Sequence, residues 1–150
     1  MKPIDTEALA GMTINMLERT AMVLAEPAET GSEQPEGTRF TRVCFGGPGS
    51  GTLVLGATEG FGRELAAGML GVESVDVNES QVCDALKEMA NMLGGSVLLA
   101  LSGETCEYSL GLPEAIGQKA AAITPSAECT VVAEGGVLHV LFAAGAVKAA

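Results

Sequence analysis

The segment NESQVCDALKEMANMLGGSVLLAL, residues 78–101, carries the strongest pattern in the sequence. Asn78 is a favourable residue at the start of a helix, and Gln81 three positions later completes a capping-box pattern. On a helical wheel of about 100° per residue, the apolar side chains form a single stripe. The members of this stripe are Val82, Leu86, Met89, Leu93 and Val97. The pattern predicts an amphipathic helix over residues 78–101 that packs on a core.

A polar ridge lies on the other side of the same predicted helix. Asp84, Glu88, Asn91 and Gly95 fall within about 60° of one another on the wheel, and we call these four residues the ridge. Polar residues on the outer face of a helix are normally just solvated, and periodicity alone favours that interpretation. Gly94 and Gly95 each cost a helix roughly 1 kcal/mol relative to alanine. This cost indicates close approach by another backbone or by a partner.

The first half of the chain predicts two more helices and a hairpin. Residues 4–25 have the apolar spacing of a helix, and the acidic, proline-containing residues 26–37 are predicted to be an exposed loop. Residues 38–46 and 52–57 are predicted strands, joined by the wide turn GGPGSG. Thr58 is predicted to cap a helix that ends near residue 70, before Gly71. The residues predicted to point inward from this helix are Phe61, Leu65, Met69 and Leu70.

The second half predicts mainly strands. Residues 105–112 read as a strand, and residues 113–122 as either a short helical turn or a crossing segment. Residues 128–145 predict a hairpin around Glu134-Gly135-Gly136, and the tail 146–150 is predicted to fray. The whole chain, residues 1–150, is predicted to be a single α+β domain. In this domain long helices pack on one face of a mostly antiparallel sheet.

Composition excludes several classes of function. The chain has 150 residues, of which 47% are apolar, so it can bury a core without metal or disulfides. Its formal charge of -11, from 8 Lys and Arg against 19 Asp and Glu, argues against binding to nucleic acid or anionic lipid. The sequence shows no secretory signal and no apolar run of about 18 residues, so we expect a cytoplasmic protein.

Cysteine and histidine do not predict a metal or catalytic site. The cysteines Cys44, Cys83, Cys106 and Cys129 form no C-x-x-C pair, and the single histidine, His139, is distant from them in sequence. We therefore expect the cysteines to be small buried residues and His139 to be an ordinary strand residue. The GGPGSGT turn lacks the lysine of a phosphate-binding loop.

A short internal repeat links two predicted helices. Glu18-Arg19-Thr20-Ala21-Met22 aligns with Glu88-Met89-Ala90-Asn91-Met92 at an offset of 70 residues. The two copies share the glutamate and the methionine. The asparagine of the second copy is replaced by Ala21 in the first.

The ridge resembles a known signature. The run Asp84-x-x-x-Glu88-x-x-Asn91-Met92-Leu93-x-Gly95 is similar to the D/S-x3-E-x2-N signature of the CheC/CheX/FliY phosphatases, which dephosphorylate the chemotaxis response regulator CheY. FGGPGSGTLVLGAT and LAAGMLG also resemble the segment that precedes the signature in CheX-like domains. CheC-type proteins carry the signature twice. Because the first copy here has Ala21 in place of asparagine, the pattern is similar to that of CheX.

This resemblance implies a fold, an activity and a partner. It implies a CheC/CheX-like fold, a homodimer, and hydrolysis of the aspartyl phosphate of a CheY-type receiver. Asn91 would orient the attacking water, and Glu88 would pair with the lysine of the receiver's site. Asp84 and Gly95 would contribute to partner binding. The Mg²⁺ would belong to the receiver, so this chain would need no cofactor of its own.

Several alternatives remain open at this point. The ridge could dock a receiver or a flagellar-switch protein without turnover, or the chain could be a structural subunit with a merely solvated ridge. Neither the identity of the receiver nor a requirement for a CheD-like activator follows from the sequence. A dimer could form through an edge strand at residues 105–112 or at residues 137–145.

Overall fold

Groups of helices and groups of strands follow one another along the chain in the computed structural model, which describes residues 4–28, 37–102 and 108–144. The helices are α1 (Thr6–Ala21), α2 (Glu59–Leu70), a 3-10 turn (Ser74–Asp76), α3 (Glu79–Ser102) and the short α4 (Gln118–Ala121). The strands are β1 (Glu26–Ala28), β2 (Arg39–Gly46), β3 (Gly51–Ala57), β4 (Ser109–Leu110), β5 (Glu114–Ile116), β6 (Ala127–Ala133) and β7 (Gly136–Ala144).

A single antiparallel sheet forms the base of the molecule. Its strand order is β1-β6-β7-β3-β2-β4, and β5 also pairs with β2. The long helices cover one face of this sheet: α1 packs on β6, α2 on β7, and α3 on β2 and β3. The main core lies between these two layers. The predicted α+β architecture, with long helices on one face of an antiparallel sheet, is therefore confirmed.

The opposite face of the sheet is partly covered by the segment around α4. Side chains alternate between the two faces along a strand, so Phe40 and Val54 point away from the long helices. They form a second small cluster with Ala121. The region 113–122, for which the sequence left two interpretations, contains both strand β5 and the short helix α4.

Both predicted hairpins are present. In β2–β3 the register pairs Val43 with Leu53, and in β6–β7 it pairs Val131 with Leu138. Strand β7 also pairs with β3, so it lies inside the sheet. The expectation that residues 137–145 offer an edge strand for dimerisation is therefore wrong. Of the other candidate, residues 105–112, the part 108–112 is described and contains the two-residue strand β4, whereas residues 105–107 lie outside the described residues.

The three long helices have different hydrogen bonds at their amino ends. The predicted capping box of α3 is confirmed: the Asn78 Oδ1 accepts from the Gln81 N–H, and the Gln81 Oε1 accepts from the Asn78 N–H, both at 2.9 Å. Asp5 caps α1 by accepting from the Ala8 N–H at 2.7 Å. Thr58 stands at the predicted cap position of α2, but its hydroxyl accepts instead from the Val137 N–H at 3.0 Å.

Two boundaries differ from the predictions. Helix α1 ends at Ala21 rather than near residue 25, because Met22 adopts a left-handed conformation with φ 55°. Residues 26–37 are not wholly a loop, because β1 adds to the edge of the sheet beside β6. Pro27 lacks a backbone N–H, and proline is tolerated in edge strands. The rest of that segment, residues 29–36, and the tail 146–150 lie outside the described residues.

The cysteines do not share one environment. Cys129 is buried, and its burial raises the pKa of the thiol to about 11. Cys83 is half-buried, whereas Cys44 is exposed, which contradicts the expectation of a buried residue. Cys44 points to the face of the sheet opposite the long helices, where no long helix covers it. Cys106 lies outside the described residues.

Candidate functional site

The ridge is solvent-exposed over its full length. Asp84, Glu88, Asn91 and Gly95 are all exposed on α3, as the wheel predicted. The apolar stripe on the other side of the helix is buried in the main core. The structure therefore brings the four predicted site residues together on one open surface of a 24-residue helix.

Contacts at both ends of α3 fix the ridge relative to the sheet. At the amino end, Arg39 on β2 forms a two-pronged ion pair with Glu79, in which the Nη2–Oε2 distance is 2.6 Å. The hydrogen bond to Arg39 holds the pKa of Glu79 below its usual value. Further along, a methyl group at Gly94 would lie 3.0 Å from Leu110 and 3.3 Å from Val43. Helix α3 is thus held against the β2 and β4 edge of the sheet.

The two adjacent glycines of α3 have different surroundings. Gly94 is buried, and its lack of a side chain leaves room for the side chains of Leu110 on β4 and Val43 on β2. Gly95 is exposed, and a methyl group built on it would meet nothing within 4 Å. The fold therefore gives a reason for Gly94 but none for Gly95.

Among the described residues, no salt bridge or side-chain hydrogen bond occupies the polar side chains of the ridge. Within the described ranges, the salt bridges join Arg39 to Glu79, Arg42 to Glu114 and Arg63 to Glu59, and none reaches the ridge. No hydrogen bond from another described residue reaches the side chains of Asp84, Glu88 or Asn91 either. Two carboxylates and one amide thus face solvent together and are available to a partner.

A groove runs beside the ridge between the end of α2 and the first half of α3. It has a volume of about 280 Å³, and we call it the α2–α3 groove. Its lining residues are Met69, Leu70, Gln81, Asp84, Ala85 and Glu88. Glu88 and Asp84 belong to both the groove and the ridge.

Sequence reasoning missed this groove because its two walls lie on different helices. Met69 and Leu70 were both predicted to point inward, but Leu70 is 51% exposed. The helical pattern could not place it, because its environment depends on how α2 meets α3. The local signal in the sequence is the position of Leu70 directly before Gly71, at the end of the helix.

The equivalent of the ridge on α1 does not form a site. Glu18 is exposed, but Ala21, which aligns with Asn91, is only 2% exposed. A methyl group added at Gly68 of α2 would collide with the backbone carbonyl of Ala21. The end of α1 is therefore in tight contact with α2.

The remaining sequence candidates have structural roles. His139 is buried on β7, and its Nδ1 lies 3.1 Å from the Oγ1 of Thr130. Burial lowers the pKa of His139, which agrees with the expectation of an ordinary strand residue. The GGPGSG segment joins β2 to β3 rather than preceding a helix, so it is a hairpin connection and not a phosphate-binding loop.

The fold and the ridge define a class of protein. It is an α+β protein in which a long helix on an antiparallel sheet presents acidic and amide side chains to solvent. The family described as chemotaxis phosphatase CheX matches residues 40–134, which is well over half of the chain. The chain therefore belongs to the CheX family, and the resemblance seen in its sequence is confirmed. The comparison with curated proteins gives no match.

Solved structures share the fold over nearly the whole chain. A chemotaxis protein CheX from Desulfovibrio desulfuricans is 20% identical, with a TM-score of 0.69, and the match covers 93% of this chain and 97% of that one. A CheC-like superfamily protein from Shewanella sp. PV-4 is 19% identical, with a TM-score of 0.72 and coverages of 97% and 100%. At these identities the similarity concerns the fold.

A third neighbour comes from a complex. A chain in the crystal structure of the CheX–CheY–BeF3–Mg²⁺ complex from Borrelia burgdorferi is 17% identical to this chain. The TM-score is 0.72, and the match covers 96% of this chain and 100% of that one.

No helix in the described part of the present chain has both the length and the apolar character needed to cross a membrane.

Proposed function

We propose that this chain hydrolyses the aspartyl phosphate of a CheY-type response regulator. The observation that carries the proposal is the exposed position of Glu88 and Asn91, one helical turn apart and without partners among the described residues. Membership in a chemotaxis phosphatase family supports a hydrolase role. The Borrelia neighbour, whose structure contains CheY, supports a receiver domain as the partner.

Asn91 is proposed to orient the attacking water. Hydrolysis needs a water in line with the phosphorus and the aspartyl oxygen, so that a new P–O bond forms as the bond to the aspartate breaks. Inorganic phosphate and a free carboxylate result. An asparagine amide has one acceptor oxygen and two donor hydrogens, so it can hold such a water without a change of charge. Catalysis of phosphoryl transfer depends mainly on this kind of positioning.

Glu88 is proposed to set the docking register. A rise of about 1.5 Å per residue puts it roughly 4.5 Å from Asn91 along the helix axis. A carboxylate at this distance can pair with a lysine at the edge of the receiver's phosphorylation pocket. Asp84 adds a second carboxylate one turn earlier. The exposed backbone at Gly95 allows the receiver surface to come close on the other side of Asn91.

Three further expectations accompany this proposal. The Mg²⁺ would be bound by the receiver, so the chain would contribute positioning rather than metal ligands. A cytoplasmic location would follow from a response regulator as the partner. A homodimer, implied by the family resemblance, is a prediction that sedimentation velocity at several concentrations would test.

A phosphate-release assay tests the activity. The purified protein is mixed with each phosphorylated CheY-type receiver of the same genome, and the decay of the phosphoryl group is followed. Asn91→Ala is expected to lower kcat by about 100-fold, the usual effect of losing one positioned polar group. Glu88→Ala is expected to act mainly on KM, by roughly 30-fold, because it removes a docking charge.

Helix α1 supplies matched controls for both variants. Asn15 and Glu18 are exposed on α1, which packs on the same face of the sheet. Asn15→Ala and Glu18→Ala should therefore leave the decay rate unchanged. An Asn91→Ala variant as fast as the parent would refute the water-orienting role. Receiver binding without any phosphate loss would favour the alternative of a non-catalytic receiver- or switch-binding module.

A further inference from the structure

We propose that the α2–α3 groove is a specificity pocket for the receiver, which takes one apolar side chain that lies next to a lysine or arginine. The inference rests on the proposed function, because the groove shares Asp84 and Glu88 with the ridge. It adds to that function a second helix, α2, and a chemical description of the receiver surface that docks there.

The size of the groove is compatible with one protein side chain. Pockets for drug-sized molecules usually enclose about 300–1,000 Å³. The volume here is about 280 Å³, and the groove is open along one side. A single large side chain from a docked surface fits such a space.

The described lining of the groove combines apolar side chains with carboxylates. Met69, Leu70 and Ala85 contribute carbon surface, whereas Asp84 and Glu88 contribute carboxylates at the rim. The described lining residues include no lysine, arginine or histidine that could neutralise them. Complementary charge selects partners and speeds association, so the occupant of the groove should carry a cation near an apolar group.

Part of the rim is already ordered in the free protein. The Gln81 Oε1 accepts from the Asn78 N–H at 2.9 Å as part of the capping box of α3. This bond holds the Gln81 side chain at the mouth of the groove. A preorganised pocket loses less rotamer freedom when it is filled.

The position of the groove requires that a receiver docked on Asn91 also covers it. Asp84 lies seven residues before Asn91, which is about 10 Å along the helix axis. A standard protein interface buries roughly 800 Å² on each partner, equivalent to a disc of about 16 Å radius. An interface of that size centred on Asn91 therefore extends over the groove.

A binding titration separates the groove from the chemistry. Each CheY-type receiver is activated with beryllofluoride and Mg²⁺, and its Kd is measured for the parent and for Leu70→Asp. This change places a third carboxylate in the groove and removes part of its apolar wall. Leu70 is 51% exposed, so the variant should fold, which circular dichroism and Tm would verify. The expected result is a Kd raised by about tenfold or more, in the range of hot-spot losses.

The matched control is Leu24→Asp, the same change at a leucine that is 74% exposed beside strand β1. It should leave the Kd unchanged. At saturating receiver, Leu70→Asp should retain the kcat of the parent, whereas Asn91→Ala should lose kcat and retain the Kd. This division between Kd and kcat distinguishes a docking pocket from the catalytic ridge.

A photoreactive residue tests the chemistry of the occupant. Benzoylphenylalanine at position 70 should cross-link to an apolar receiver residue within one helical turn, or two strand positions, of a lysine or arginine. A cross-link to an acidic or purely polar receiver surface would overturn the proposed occupant.

The outcomes of the titration separate the two proposals. If the parent binds a receiver and Leu70→Asp binds it equally well, the groove proposal fails and the proposed function stands. If the parent binds but does not hydrolyse, the enzymatic claim fails, and Leu70→Asp still decides the groove. If the parent binds no receiver, both proposals fail.

Discussion

Helices α1 and α3 lie on the same face of one sheet but use their surfaces differently. Each carries a glutamate at the equivalent position, Glu18 and Glu88, and both side chains are exposed. Three residues later the helices diverge: Ala21 is buried against α2, whereas Asn91 is exposed. The same sequence spacing therefore gives a packing contact in one helix and an open surface in the other.

Two glycines near these positions have different surroundings. Gly68 of α2 leaves room for the backbone at Ala21, so its lack of a side chain serves the packing of α1. Gly95 of α3 has open space around it, so packing within the protein does not require a glycine at this position. The contribution of a repeated motif therefore depends on what the rest of the fold places against it.

The largest effect is expected for Gly68→Ala. The added methyl group would collide with the Ala21 carbonyl, and one of the two helices would have to move. Overpacking of this kind costs up to about 3 kcal/mol, and we expect a loss of that size in the free energy of unfolding. Urea denaturation would measure it. A variant as stable as the parent would show that the contact between α1 and α2 is not tight.

Ala21→Asn tests whether the second signature could be rebuilt on α1. The larger amide would be buried beside Gly68 without a hydrogen bond. This should lower the free energy of unfolding by about 2 kcal/mol. In an Asn91→Ala background the change should restore no phosphatase activity, because the amide at position 21 does not reach solvent. Stability and phosphate release would be measured on the same preparation. Recovered activity would mean that α1 can open to a receiver.

Gly95→Ala and Gly11→Ala form a matched pair on the two helices. Both glycines are exposed, and neither has an atom within 4 Å of an added methyl group. Each substitution should stabilise the free protein by roughly 1 kcal/mol through helix propensity. Only Gly95→Ala should weaken binding of the activated receiver. Equal receiver affinity for the two variants would remove Gly95 from the docking surface.

The smallest effect concerns the ion pair that holds the start of α3. The pKa of Glu79 is lowered by its hydrogen bond to Arg39. A carboxyl whose pKa is lowered on folding stabilises the protein above its ordinary pKa, and the contribution is lost as the pH falls through the folded value. Parent and Arg39→Gln should therefore differ near neutral pH, and the gap should narrow as the pH falls below about 4.3, the ordinary pKa of a glutamate.

The difference at neutral pH should be below about 1 kcal/mol, because both side chains are partly exposed. Thermal unfolding of both proteins from pH 7 to pH 3 would measure it. A constant gap over this range would contradict the assignment. Arg42→Gln, which removes the similar pair between β2 and Glu114 on β5, is a control that leaves the ion pair at the start of α3 intact.

Features encoded within one element were predictable from the sequence. The capping box at Asn78 and Gln81, the apolar stripe of α3 and the position of the ridge follow from local chemistry and helical periodicity. The β6–β7 hairpin follows from two apolar runs around a glycine turn. In these cases the residues that decide the structure lie within a few positions of one another.

Features that depend on distant contacts were not predictable. Strand β1 has only three residues, including Pro27, and it exists because the edge of β6 is available. The exposure of Cys44 depends on which face of the sheet lacks long helices. The groove depends on the approach of α2 to α3, and no single helix carries a pattern for it. Tertiary arrangement decides each of these outcomes.

The groove and the ridge are divided between two helices, and this division has an evolutionary consequence. Met69 and Leu70 are on α2, whereas Asn91 is on α3. Under the proposed roles of groove and ridge, mutations in α2 would change which receiver is accepted without altering the residue proposed to act on the phosphate. After gene duplication, two paralogues could diverge in partner choice while keeping the same chemistry. Such an arrangement would help a bacterium with several parallel signalling pathways to keep them insulated from one another.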